Sequence, residues 1–185
     1  MITLIIVDCQ NDFISGTMIV NDAKKKLDNI KEFITNNVKK IDKIVFSVKW
    51  RPFTHSSFKR NGGTMPNHCV QYTPGACIEP KLLKLVQSLN INYEVNQTNS
   101  DSLREQLGAF EDVDLVQDGL GSWYYLDSIV RVNADTDFVI CGITDSVKYS
   151  IENLLNGKYK ILPKLFKDGS IECDSFVKEK EVDVI

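Results

Sequence analysis

The sequence predicts an α/β fold: a three-layer α/β/α arrangement around a mainly parallel central sheet. Three observations predict it. Short β-branched runs alternate with amphipathic helical patterns along the chain, the order that builds strand–helix–strand units. The first run, ITLIIV at residues 2–7, is almost wholly apolar, as expected of a strand covered on both faces. No repeat, low-complexity tract or Pro/Gly/Ser-rich linker breaks the 185 residues, so residues 1–185 are expected to form a single domain.

The elements follow in order. After the first strand, Asp22 to Val38 carries Leu27, Ile30, Phe33, Ile34 and Val38 near helical spacing with lysines between them, an amphipathic surface helix. Lys43 to Val48 (KIVFSV) is the second strand. Lys49 to Pro80 is irregular, punctuated by Pro52, Gly62, Gly63, Pro66, Pro74, Gly75 and Pro80, and a loop of that length in a compact domain tends to be functional. Lys81 to Leu89 reads as a short helix and Asn92 to Val95 as a strand. Helices are expected over Asp101 to Leu107, with Ser100 as its cap, and over Ser122 to Val132. Asp137 to Cys141 (DFVIC) is a strand, and Ser146 to Leu155 a helix stopped by Asn156-Gly157. A strand at Tyr159 to Leu162, a helix near Cys173 to Lys180 and a terminal VDVI complete the pattern. In such sheets the ligand site lies beyond the carboxyl ends of the strands.

Composition narrows the function. At 43% hydrophobic and 25% charged residues the chain is globular rather than disordered. Its 22 Lys+Arg against 25 Asp+Glu lack the basic excess of a nucleic-acid binder. No apolar run approaches the ~18–20 residues that span a bilayer, so no membrane partner is expected. The stretch from Ile2 to Val7 meets Asp8 at once and has no basic leader, so it does not read as a signal peptide. Five cysteines, odd in number and without a CxxC pair, read as reduced thiols in a cytoplasmic protein. Only two histidines are present, and any His-based site must draw on both.

An acid closing a buried first strand is where α/β folds place catalytic or metal-binding carboxylates; an Asp capping the next turn is the bland alternative. Here the strand ends in Asp8-Cys9-Gln10-Asn11-Asp12-Phe13. The second strand runs into Lys49-Trp50-Arg51-Pro52-Phe53-Thr54-His55, followed by Asn61-Gly62-Gly63-Thr64-Met65-Pro66-Asn67-His68-Cys69-Val70 and Thr73-Pro74-Gly75-Ala76. Asp8 to Phe13 resembles the DxQNDF opening of the isochorismatase-like cysteine hydrolases. Trp50 to His55, the run around His68 and Thr73 to Ala76 resemble the nicotinamidase branch of that family, in the same order and spacing.

The resemblance implies the isochorismatase-like hydrolase fold and a defined chemistry. An Asp acts as general base on a Cys thiol that attacks an amide carbonyl, a Lys between them lowers the thiol's pKa, and backbone N–H groups at a helix start form the oxyanion hole. A divalent metal (Zn, Fe or Mn) held by Asp and His binds the substrate ring in nicotinamidases. Residue by residue, Asp8 matches the general base. The lysine is expected near 95–99, where the sequence is VNQTN; Gln97 or Thr98 stands there, and no lysine occurs between Lys84 and Lys148. The family's CG-x-x-x-D-x-C-V becomes Cys141-Gly142-Ile143-Thr144-Asp145-Ser146-Val147, which puts Ser146 at the nucleophile in a turn two residues short. The plain alternative for Ser146 is a helix cap. His55 and His68 match metal ligands, but Lys49 stands for the family Asp and Arg51 for another His, so the site is expected to hold no metal and its two positive charges to favour an anion. Alternatively both cations point to solvent. Phe13 and Trp50 match positions that line the ring pocket. Of the other thiols, Cys9 is expected to face away from Asp8, Cys141 to be buried, and Cys69 to diverge from His68.

Three readings follow: first, a family member lacking or strongly impaired in hydrolysis that binds a small anionic or planar molecule; second, an active hydrolase of small amides using Asp8 with Ser146 or water; third, a non-catalytic oligomer partner. A small molecule is the expected ligand and homo-oligomerisation is left open.

Overall fold

The structure, a computed structural model, describes residues 2–98, 137–144, 160–161 and 178–179. Its centre is a four-stranded parallel sheet of β1 (Ile2–Val7), β2 (Ile41–Lys49), β3 (Asn92–Thr98) and β4 (Asp137–Gly142), in the order β3-β2-β1-β4. This is the α/β sheet that the alternating pattern predicts. Every residue of β1 is buried, because β2 and β4 flank its edges and side chains cover both faces. Leu4, Ile5 and Ile6 are fully enclosed. Each contributes about 1.5–3 kcal/mol relative to exposure, which fixes the strand at the middle of the molecule.

The helix α1 spans Asn11–Ile14, α2 Ala23–Asn37 and α3 Pro80–Ser88. Leu27, Ile30 and Ile34, spaced three and four residues apart, turn one stripe of α2 into the core. The α3 helix begins with Pro80 at a position where no N–H is missed, and the Glu79 carboxylate accepts from the Leu82 N–H at 2.7 Å. Leu82 and Val86 form its buried stripe. The strands β2 and β3 run a few residues longer than their apolar cores, since ladder pairing continues to Lys49 and Thr98 once both backbones lie side by side.

Three places differ from the sequence pattern. The loop from Lys49 to Pro80 contains 3-10 turns at Lys59–Asn61 and Pro74–Ala76, and the motif after the first strand forms the short helix α1. Near the carboxyl terminus a helix was expected over Cys173 to Lys180, but Lys178–Glu179 form a strand, β6, antiparallel to β5 at Lys160–Ile161. Pairing with β5 gives this backbone a ladder partner, and tertiary pairing overrides local preference in so short a run. The expected helices over 101–107, 122–132 and 146–155, and the terminal VDVI, lie outside the described residues. Among the described residues no helix is long and apolar enough to cross a membrane.

In sheet order the chain moves from β1 outward to β2 and β3, then returns to the other side of β1 at β4. The switch point is therefore between β1 and β4, and their carboxyl ends carry Asp8 and residues 143–144.

Candidate functional site

Asp8 follows the last residue of β1 with φ +58°, a left-handed conformation that Asp tolerates better than most residues. Its N–H donates to the Ser47 carbonyl at 2.9 Å, anchoring the turn to β2. The carboxylate is 1% exposed. Across the switch point the Thr144 hydroxyl donates to its Oδ2 at 2.5 Å, and from β2 the Lys49 ammonium lies 3.9 Å from the same oxygen. The cation is buried as well, at 4% exposure, so this ion pair is screened far less than a surface one.

Lys49 is placed by its backbone. The Gln10 side chain, fully buried, donates from Nε2 to the carbonyls of Lys49 and Ala76, both at 2.7 Å, and accepts the Lys49 N–H on Oε1 at 2.7 Å. Gln10 thus behaves like a strand edge, stitching the end of β2 to the Pro74–Ala76 turn. Two residues on, Arg51 is 1% exposed and bridges Val70 in parallel: its N–H donates to the Cys69 carbonyl at 3.0 Å and its carbonyl accepts from Gln71 at 2.8 Å. That register sets Arg51 beside His68, where Nη1 of Arg51 contacts Nε2 of His68.

The segment carrying His68 is held by Asp12. Its Oδ2 accepts the Cys69 N–H at 2.7 Å and its Oδ1 the Thr17 N–H at 3.1 Å. A Cβ at Gly75 would overlap both carboxylate oxygens, so the turn can approach only with glycine there. His68 packs edge-on against Phe13 and Phe58, with ring centroids 5.6 and 5.7 Å apart, and Phe58 also touches His55 at 5.4 Å. Both imidazoles are buried.

No model of a known protein family matches the chain. It is 27% identical to the nicotinamidase of Saccharomyces cerevisiae over a match covering 61% of this chain and 63% of that protein, somewhat under two thirds of its length. It is 24% identical to the nicotinamidase of Escherichia coli K12, covering 78% of this chain and 82% of that protein. Among solved structures, the pyrazinamidase of Pyrococcus horikoshii in complex with zinc superposes with a TM-score of 0.56 at 28% identity, over 84% of this chain and 78% of that one. The yeast nicotinamidase Pnc1p shares the fold at a TM-score of 0.61 and 23% identity, over 84% of this chain and 82% of that one. In sequence and in fold the chain is thus similar to nicotinamidases and to a pyrazinamidase, in keeping with the resemblance to the isochorismatase-like hydrolases.

The site residues that the resemblance implies divide clearly. Asp8, Lys49, Arg51, His55, His68 and Phe13 are all buried at the carboxyl end of the sheet or in the loop covering it. Neither cation points to solvent. Gln97 is exposed on β3, in register with Val48, so strand β2 stands between it and Asp8. Trp50 packs on the exposed Tyr72, with ring centroids 5.4 Å apart, and is itself partly buried against the core. Ser146 lies outside the described residues. Sequence reasoning did not single out Gln10, Asp12 or Thr144. Gln10 and Asp12 stand inside the quoted DxQNDF opening, and that motif was the available signal; Thr144 had none.

The family's metal can be tested against these side chains. Among the described residues no three His, Cys, Asp or Glu side chains converge as a metal site. The matched positions offer two imidazoles with an ammonium and a guanidinium, and the guanidinium rests on the imidazole nitrogen a metal would need. This donor set does not fit a divalent cation.

The thiols are equally informative. Burial pushes the Cys69 thiol well above its ordinary pKa, and the charges of Asp8 and Asp12 add to this. Burial does the same to Cys9, reinforced by Cys141 and Asp8. Both remain protonated near neutrality, which is the inert state for nucleophilic attack.

Proposed function

We propose that this chain is a nicotinamidase-related member of its family in which cysteine-dependent amide hydrolysis is lost or strongly impaired, and which keeps a buried site for a small anionic molecule. The observation that carries the reading is the state of the two thiols that feel the charge of Asp8. Cys9 and Cys69 are buried and held protonated, so neither supplies the thiolate that amide attack requires. At the family's nucleophile position the sequence has Ser146, whose hydroxyl ionises far less readily than a thiol. The anion preference is supported by Lys49 and Arg51, two cations buried at the end of the sheet where ligands of α/β folds bind.

The test is ammonia release from nicotinamide and a panel of small amides by the purified chain. The expected result is no release above a heat-denatured control. Turnover that disappears in Asp8→Ala would establish the second reading instead: an active hydrolase using Asp8 with Ser146 or a water. One observation favours that second reading. Lys49, 3.9 Å from Asp8, supplies from β2 the cation absent from the lysine-free stretch after Lys84.

A further inference from the structure

The two histidines of the site hold their protons differently. Nδ1 of His68 lies 2.8 Å from the Pro66 carbonyl oxygen, an atom that only accepts, so Nδ1 carries the proton and Nε2 presents its lone pair. This is the tautomer in which histidine binds a metal, its far N–H held by a carbonyl. Nη1 of Arg51, however, lies against this ring, closest to Nε2 and 3.4 Å from Nδ1. A guanidinium has donors and no acceptor, so a permanent positive charge sits beside the imidazole that would have to face a metal ion. In His55 the Ser57 N–H donates to Nδ1 at 3.2 Å, so the neutral ring carries its proton on Nε2.

The backbone holds Arg51 in this place. Its N–H and carbonyl are both used in the bridge that sets residues 69–71 alongside it, so guanidinium and imidazole come from two paired segments rather than from mobile side chains. Lys49, two residues earlier, adds a second buried cation facing Asp8. A fixed guanidinium charge beside the imidazole repels a divalent ion brought to the same ring.

We propose that the Arg51 guanidinium is a built-in replacement for a divalent cation: it lies against the His68 imidazole, and the chain takes up no zinc, iron or manganese at this centre. The proposal goes beyond the loss of hydrolysis, since a metal-free centre is compatible with either outcome of the amide assay.

The full chain, incubated with zinc chloride and dialysed, is assayed for retained metal by mass spectrometry and for its melting temperature. The same is done for Lys49→Asp/Arg51→His, which offers a carboxylate and an imidazole in place of the two cations. Wild type is expected to retain far less than one zinc per chain and to melt at the same temperature with or without zinc. The double variant is expected to retain about one zinc per chain, melt higher with it, and lose both effects on adding His68→Ala. One zinc per wild-type chain, lost in His68→Ala, overturns the proposal. A folded double variant that binds no more zinc than wild type also overturns it. Nitrogen-15 NMR of the wild-type imidazoles needs no variant: His68 protonated on Nδ1 alone supports the proposal, and His68 protonated on Nε2 overturns it.

Discussion

At the residue scale, Asp8 and the thiols around it define what the site can do. The carboxylate is buried, sits on a left-handed backbone, and is met by a hydroxyl and an ammonium from two different strands' ends. Such convergence on one oxygen keeps an anion in place inside a protein, since an unpaired buried carboxylate would cost several kcal/mol. The same negative charge works against Cys69 and Cys9, whose raised pKa values make stability depend on pH. In the unfolded chain a thiol releases its proton near pH 8.5, while in the folded chain both keep theirs to higher pH. Above that point the folded state binds more protons than the unfolded one, so stability is full below about pH 8 and falls as pH rises. Chemical denaturation between pH 8 and 10 is expected to show a loss that Cys9→Ala and Cys69→Ala each reduce by up to about 1.4 kcal/mol per pH unit. An unchanged slope in both variants would mean the thiols are not buried as described.

At the scale of elements, the site is a product of how a loop is fastened to the sheet. Gln10 replaces a missing strand neighbour with its side-chain amide, and Asp12 catches the N–H groups at residues 17 and 69. Both come from the turn after β1, so one short segment controls where Lys49, the Pro74–Ala76 turn and His68 sit. Gln10→Leu keeps the volume but strands the Lys49 N–H and two carbonyls in a buried place. At about 1–3 kcal/mol for each unsatisfied group, a loss of roughly 3 kcal/mol or more is expected. Urea unfolding measures it, with an unchanged m-value showing that the fold itself survives. A loss below about 1 kcal/mol would show that water or relaxation satisfies those groups instead.

At the scale of the whole molecule, the switch in strand order brings distant parts of the chain to one spot. Asp8 and Thr144 are 136 positions apart and share a hydrogen bond because β4 returns beside β1. A ligand bound there contacts the folded state only, so it should raise the stability of the entire domain. At a hundredfold excess over Kd the gain is about 2.7 kcal/mol, or a rise in Tm of ~5–10 °C for a chain of this size. Thermal unfolding with small aromatic carboxylates is expected to show such a rise, lost in Lys49→Ala/Arg51→Ala; equal shifts in both proteins would remove the two cations from the binding site.

Much of this was legible in the residues. The apolar run from Ile2 to Val7, the stripe of Leu27, Ile30 and Ile34, and the motif from Asp8 to Phe13 determined the parallel sheet, its covering helix and the location of the site, because burial of period-specific apolar positions dominates the folding free energy. The sequence also placed Lys49, Arg51, His55 and His68 in one functional loop. It could not say that Lys49 would turn to Asp8, that Arg51 would rest on His68, or that Gln97 would face solvent behind a strand. Those outcomes depend on strand register and on which buried charge finds which partner. Both are set by backbone pairing between segments far apart in the chain, and that information exists only once the sheet has formed.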